Sequence, residues 1–319
     1  MSEKKKKFIL LSVSSFLSIA VAALLWDTWW HVAVGRDSFW IPPHIFLYLS
    51  VILSILAALY GWLRSKDRFW RKLTLPLLLI PFSAPFDEMW HRIFGVENLN
   101  SPLVIWSPPH ILLLLGILGG LIICLSKIRQ DREAYERQFF ELLSFASILS
   151  ILFIFVVPFL PRGPYEVIGF WGAGVIAFVV ILVFLMAQKV IPGIAEVTMV
   201  TFFFIAITAI GPAFSEQVGK GVLIPRHGHQ PSWLIAFAYL VPAIFMDLAK
   251  KLSLWAKAII SGLLWSTILF GFSSLFLDVQ FRYSIEEGGI AIIASAFGAC
   301  IAVLVFRYLS KAKFLFLSV

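Results

Sequence analysis

Apolar runs of about twenty residues follow one another along almost the whole chain, separated by short polar connections. A helix of that length crosses the ~30 Å hydrocarbon core of a bilayer. The runs lie at roughly 8–30, 42–63, 72–92, 108–126, 138–159, 166–188, 192–214, 232–249, 253–275 and 289–309. Composition agrees, since 60% of residues are hydrophobic and only 14% are charged. A soluble core of this size cannot hide so much apolar surface, so lipid must solvate much of it. Backbone groups in lipid must bond internally, and the alternating pattern of a membrane barrel is absent. The expected class is therefore all-α: a polytopic membrane helix bundle with about ten transmembrane helices.

The net charge of +8 does not point to nucleic acid, because the basic residues sit in short clusters between apolar runs. There they act as topology signals. Lys4–Lys7, Arg64, Lys66, Arg68, Arg71, Lys72, Lys127, Arg129, Arg132, Arg137, Lys189, Lys250, Lys251, Lys257, Arg307, Lys311 and Lys313 fall on one side. Arg36, Arg92, Arg162, Lys220, Arg226 and Arg282 fall on the other. This 20-to-6 division places both termini in the cytoplasm of a multi-pass cell-membrane protein. Lys4–Lys7 followed by an apolar run with Ala20-Val21-Ala22 has the outline of a signal peptide. The run continues past Ala22, so a retained span is expected. Cys124 and Cys300 lie inside apolar runs and read as packing residues. Residues 1–130 form a four-span region and 131–319 a six-span region of unassigned role, within one integrated membrane domain.

The first four spans contain an internal repeat. One copy reads Asp27-Thr28-Trp29-Trp30-His31, then Gly35-Arg36-Asp37, then Trp40-Ile41-Pro42-Pro43-His44. The other reads Asp87-Glu88-Met89-Trp90-His91, then Gly95-Val96-Glu97, then Trp106-Ser107-Pro108-Pro109-His110. The two histidines are 13 apart in the first copy and 19 apart in the second. Asp and His four apart share a helix face. Glycine fits a helix stop. Pro-Pro opens a helix, so His44 and His110 fall in a first turn. Each copy is a two-helix hairpin that brings Asp, His and His together at the extracytoplasmic end of the membrane.

Two imidazoles and a carboxylate suit Cu(II), Zn(II) or non-haem Fe(II), and leave positions open for water or substrate. The expected metal ligands are Asp27, His31, His44, Asp87, His91 and His110. His227 and His229, on an outer loop, are candidate additional ligands, and the loop could equally be only a loop. Arg36, Asp37, Glu97, Trp30 and Trp90 are expected to support the ligands rather than bind metal. Interfacial belts favour Trp and His, so a purely structural polar cluster is the competing explanation. Glu196 and Asp247, near span ends, are expected to pair or snorkel. Phosphate-loop, dinucleotide, zinc-protease and nucleophile-elbow motifs are absent.

The stretch 27–48, with Asp27, Trp30, His31, Arg36, Asp37, Trp40, Pro42, His44, Ile45 and Tyr48, resembles the C subunit of the copper membrane monooxygenases, the methane, ammonia and hydrocarbon monooxygenase family. That family's ligands follow Asp-x3-His-x12-His, which Asp27, His31 and His44 match. The resemblance implies copper, with O2 activation and hydroxylation as its chemistry. The second copy departs at its longer loop. A further family site uses an asparagine in a later helix, whereas Asn98 and Asn100 here lie in an outer loop. The family enzymes also need partner subunits.

Three functions fit these residues. The first is a copper-dependent membrane oxidoreductase that hydroxylates a small apolar substrate reaching it from lipid. The second takes up or delivers copper or zinc. The third is an assembly or scaffold subunit with a structural metal. The expected partners are the lipid bilayer and other membrane subunits or further copies of the chain.

Overall fold

The computed structural model describes residues 1–34, 40–95, 101–130, 134–160, 167–218, 237–276 and 284–312. Among the described residues all regular structure is helical, with eleven α-helices and no strand. They are α1 Glu3–Ala33, α2 Pro42–Ser65, α3 Arg68–Phe94, α4 Leu103–Trp106, α5 Pro108–Ile128 and α6 Ala134–Val156. Then follow α7 Gly172–Val190, α8 Glu196–Val218, α9 Leu240–Leu248, α10 Leu254–Phe276 and α11 Ile285–Lys311.

Seven helical segments are long and apolar enough to cross a membrane: Glu3–His31, Pro42–Ser65, Pro108–Ile128, Glu136–Phe159, Gly169–Val190, Glu196–Ser215 and Ile285–Lys311. Large apolar side chains such as Phe82, Phe297, Leu56 and Ile293 face outward along the helices, as lipid-facing helices require. The protein is thus a helical membrane bundle. Three of the ten expected runs are not among the seven. The run at 72–92 lies on α3, which carries Arg68, Arg71, Lys72, Asp87, Glu88 and Arg92. The run at 253–275 lies on α10, whose qualifying apolar stretch is the shorter Leu254–Leu269. The run at 232–249 meets the nine-residue α9 and otherwise falls partly outside the described residues.

The chain divides into two compact units, residues 1–151 with 207–229, and residues 152–206 with 230–319. In the first unit α1 packs on α2 and α3 on α5, with further contacts between α2 and α3 and between α1 and α5. Local chemistry sets these boundaries. Ser2 caps α1, its Oγ accepting from the Lys5 N–H at 3.4 Å. Pro42-Pro43 and Pro108-Pro109 occupy the first positions of α2 and α5, where a missing N–H costs nothing. Lys66, in the left-handed region at φ 54, ends α2, and Asp67 caps α3 by accepting from the Phe69 N–H at 2.9 Å. Inside α3, Pro76, Pro81 and Pro85 interrupt the backbone ladder. Gly116 and Gly119 of α5 lie directly against Pro76, so the first of these interruptions is covered by another helix, while Pro81 and Pro85 face outward. Buried serines join α1 to α6, Ser147 Oγ donating to Ser18 Oγ at 2.9 Å and Ser14 lying 3.4 Å from Ser144.

In the second unit α11 packs along α7 and α10. A buried aromatic group of Phe153, Phe204, Tyr239 and Trp265 fills its interior, with Tyr239 and Trp265 stacked at 5.8 Å. Asp247 is buried and accepts from the Val197 and Thr198 N–H groups at 3.2 and 2.8 Å. It thereby satisfies amides at the start of α8. Glu196 is buried and paired with Lys250 at 2.8 Å. Glu196 thus pairs, as expected, whereas Asp247 is held by hydrogen bonds, and both are buried within the protein rather than reaching toward water. Ser284 and Glu287 form a reciprocal capping box at the start of α11. Cys124 and Cys300 are free thiols.

Candidate metal centre

Asp27 and His31 stand one turn apart near the end of α1, and His44 is the third residue of α2. The antiparallel return forced by Pro42-Pro43 carries His44 back to Asp27. His44 Nε2 lies 3.0 Å, and His31 Nε2 3.3 Å, from the same oxygen, Asp27 Oδ1. The imidazole rings are 5.6 Å apart at 63°. One ligand atom from each of the three residues falls within 4.8 Å of the others, the one such group among the described residues. The side chains are 15–18% exposed, so the cluster is shielded yet reachable.

Two arrangements bring an aspartate and two histidines this close, a hydrogen-bonded polar cluster and a set of metal ligands. Asp27 Oδ1 is buried and has no partner in hydrogen-bonding geometry, although two imidazole nitrogens approach it closely. An Asp–His hydrogen-bonded pair would aim an N–H at the oxygen.

The surroundings hold this end of α1 rigid. Trp26, Trp30 and Ile41 form a buried group with Trp29 and Val34 packed on it. Trp26 and Trp30 meet edge to face at 6.2 Å. The Trp26 indole N–H donates to Ser215 Oγ at 2.7 Å, and Gly211 lies against the same ring. Sequence reasoning missed this clamp. Its only signal was a pair of small residues four apart on α8. Tyr48, one turn beyond His44, lies 5.8 Å from the His44 ring and within electrostatic reach of both Asp27 and Asp87.

The second set is built the same way, from the last turns of α3 and the first turn of α5. His110 Nε2 lies 3.3 Å, and His91 Nε2 3.6 Å, from Asp87 Oδ1. That oxygen too is buried without a hydrogen-bond partner. Gly95 stops α3 at φ 80. Trp90 lies tilted against Phe94, their ring centres 4.3 Å apart. The set is looser, its side chains 23–31% exposed, and its three ligand atoms do not close to the 4.8 Å of the first. Arg36, Asp37, Glu97, His227 and His229 lie outside the described residues.

No protein-family model, no curated protein and no solved structure matches the chain.

Proposed function

We propose that this chain is an integral membrane metal-binding protein, with copper as its metal and a membrane oxidoreductase role. In this reading Asp27, His31 and His44 hold one ion, and Asp87, His91 and His110 a second. The supporting observation is the approach of two imidazole nitrogens to one buried carboxylate oxygen. Bonds of about 2.0–2.1 Å at angles of 90–109° separate neighbouring ligand atoms by roughly 2.9–3.4 Å. The contacts at Asp27, 3.0 and 3.3 Å, fall in that range, whereas at Asp87 one does, at 3.3 Å, and the other lies beyond it, at 3.6 Å. The donor set fits copper, zinc or non-haem iron, and the resemblance of residues 27–48 to the copper monooxygenase C subunit favours copper. Copper held there would supply one-electron redox and O2 chemistry. The chain's own contribution is to fix the ligands, to wall them with Trp26 and Trp30, and to leave them partly accessible. A small apolar substrate arriving through lipid is the class that suits such walls.

The reading includes ten spans, a duplicated hairpin and both termini in the cytoplasm. Lys7 and Asp27 are twenty residues apart on one helix, about 30 Å, which is one hydrocarbon thickness. The metal ligands then stand at the face opposite Lys4–Lys7. Reporter fusions at residues 100 and 225 are expected to be extracytoplasmic. Opposite locations for the two would overturn this topology.

The chemistry is tested on protein purified in detergent. Copper is expected at one to two ions per chain, with a paramagnetic Cu(II) spectrum showing nitrogen coupling. Anaerobic reduction should bleach it and O2 restore it. Zinc in its place, or copper that stays reduced under O2, would refute the oxidoreductase role and leave metal delivery or a structural ion.

A further inference from the structure

A second polar site lies in the other compact unit, remote in sequence from the histidines. The end of α7, the turn after it, the start of α8, the turn after α9 and the start of α10 surround a cleft of about 390 Å³. Its charged lining residues are Lys189, Lys250, Lys257 and Glu196, three lysines against one glutamate, with the Lys189 ammonium 5.8 Å from the centre of the Phe306 ring.

The carboxylates nearby are already committed. Glu196 is gripped by Lys250, which approaches both of its oxygens at 2.8 and 2.9 Å. Lys250 also donates to the Gly193 carbonyl at 2.8 Å. Asp247 is spent on the first amides of α8 and on the Thr198 hydroxyl, which donates to it at 2.7 Å. Lys257 is half-buried and donates to a neutral group, the Gln188 side-chain oxygen. Gln188 is itself fixed, because its Nε2 donates to the Met246 carbonyl at 2.7 Å. Its oxygen is thus held toward Lys257. The half-buried ammonium is positioned by an amide that cannot neutralise it.

The rim differs from the floor. Ile194, in the turn between α7 and α8, is 88% exposed, and Leu248, two residues before Lys250, is 81% exposed. Both are close along the chain to residues that line the cleft, Gly193 and Lys250. The cleft also lies where spans end: Gly169–Val190 stops beside it and the apolar part of α10 begins beside it. A basic floor, an apolar rim and a place at a span boundary are the features that hold an anionic headgroup.

We propose that this cleft is a binding site for a phosphate group, carried by an anionic phospholipid whose acyl chains lie against Ile194 and Leu248. Lys257 and Lys189 would take the phosphate oxygens. Lys250 keeps its place on Glu196. This site is independent of the metal reading and requires only that the chain is embedded in a membrane.

The test uses the full chain in a neutral detergent, with phosphatidylglycerol, phosphatidylcholine and inorganic phosphate as separate probes. Native mass spectrometry counts lipid adducts, and calorimetry follows phosphate. The parent is expected to prefer phosphatidylglycerol over phosphatidylcholine. The preference should fall about fivefold for each lysine removed in Lys257→Met and Lys189→Met. Lys311→Met, an exposed basic residue outside the cleft, should leave it unchanged. Phosphate binding that the same two variants abolish, without a lipid preference, would support the site with free phosphate as its source. A parent that binds neither probe selectively would overturn the proposal. So would variants that bind like the parent, or a loss in Lys311→Met equal to the others. Unchanged helical circular dichroism in each variant separates lost binding from lost folding.

Discussion

Replacing His31 and His44 together by alanine is expected to remove the metal of the first set and leave the helices intact. Loss of a residue that merely supports a ligand costs about 10–100-fold in affinity. Two of three direct donors should therefore cost more than about 100-fold, enough to strip the ion during purification. Metal content should fall by one ion per chain if both sets are filled. The fold should survive, because His31 and His44 are partly exposed and sit at helix ends rather than among the buried apolar side chains. Trp26 and Trp30 offer a second readout. Both are buried beside the ligands, so bound Cu(II) should quench their fluorescence and the double variant should recover it. The parallel pair His91→Ala with His110→Ala should remove the other ion, with Trp90 beside His91 as the indole that recovers. Metal content equal to the parent in the first variant would sink the assignment. A polar cluster at the membrane boundary would then be the better account.

The parts of the site visible in sequence were those fixed by local rules. Asp27 and His31 are four apart, so one helix turn aligns them. Pro42-Pro43 can only begin α2, so His44 had to fall in its first turn. The same holds for Asp87, His91, Pro108-Pro109 and His110, and Gly95 stops α3 as its residue type predicts. What local rules do not carry is set by distant partners. The run at 192–214 gave no reason to start a helix at Glu196. The reason is Asp247, about fifty residues later, whose carboxylate satisfies the first amides of α8. The anchoring of Trp26 by Ser215 spans 189 residues and left no periodic trace. The looser fit of the second set has a visible correlate, the six extra residues between His91 and His110, although the sequence alone did not say which way they would act. Seven of the ten expected runs meet the length and apolarity of a span among the described residues. Charges toward the ends of α3 dilute its apolar character while leaving it a continuous helix of 27 residues.

Gly298→Ala is expected to be among the most damaging single substitutions for the fold, though it adds one methyl group. In the second unit α7 and α11 meet backbone to backbone. A Cβ built on Gly298 would stand 2.0 Å from the Gly174 carbonyl oxygen, and one on Gly174 would stand 2.6 Å from the Ala294 carbonyl oxygen. Neither obstacle is a flexible side chain that can turn aside, so the helices must part. Small residues at such crossings allow the close packing that stabilises helices in lipid, where no hydrophobic force drives them together. Separation also weakens the contact of Ser295 Oγ with the Ala173 carbonyl at 3.5 Å. Overpacking of this kind costs about 1–3 kcal/mol, and a larger residue should cost more. Gly288→Ala is the matched control on the same helix, since its Cβ would meet nothing within 4 Å. Alanine's better helix propensity should make that change neutral or stabilising by up to about 1 kcal/mol. Melting of both variants in one detergent, followed by circular dichroism, separates packing from propensity. The midpoint should drop for Gly298→Ala and hold or rise for Gly288→Ala. Equal midpoints would mean that α7 and α11 do not touch at these carbonyls. Histidine-bound metal, measured on the same samples before heating, should not differ between the two variants, because neither glycine neighbours a ligand.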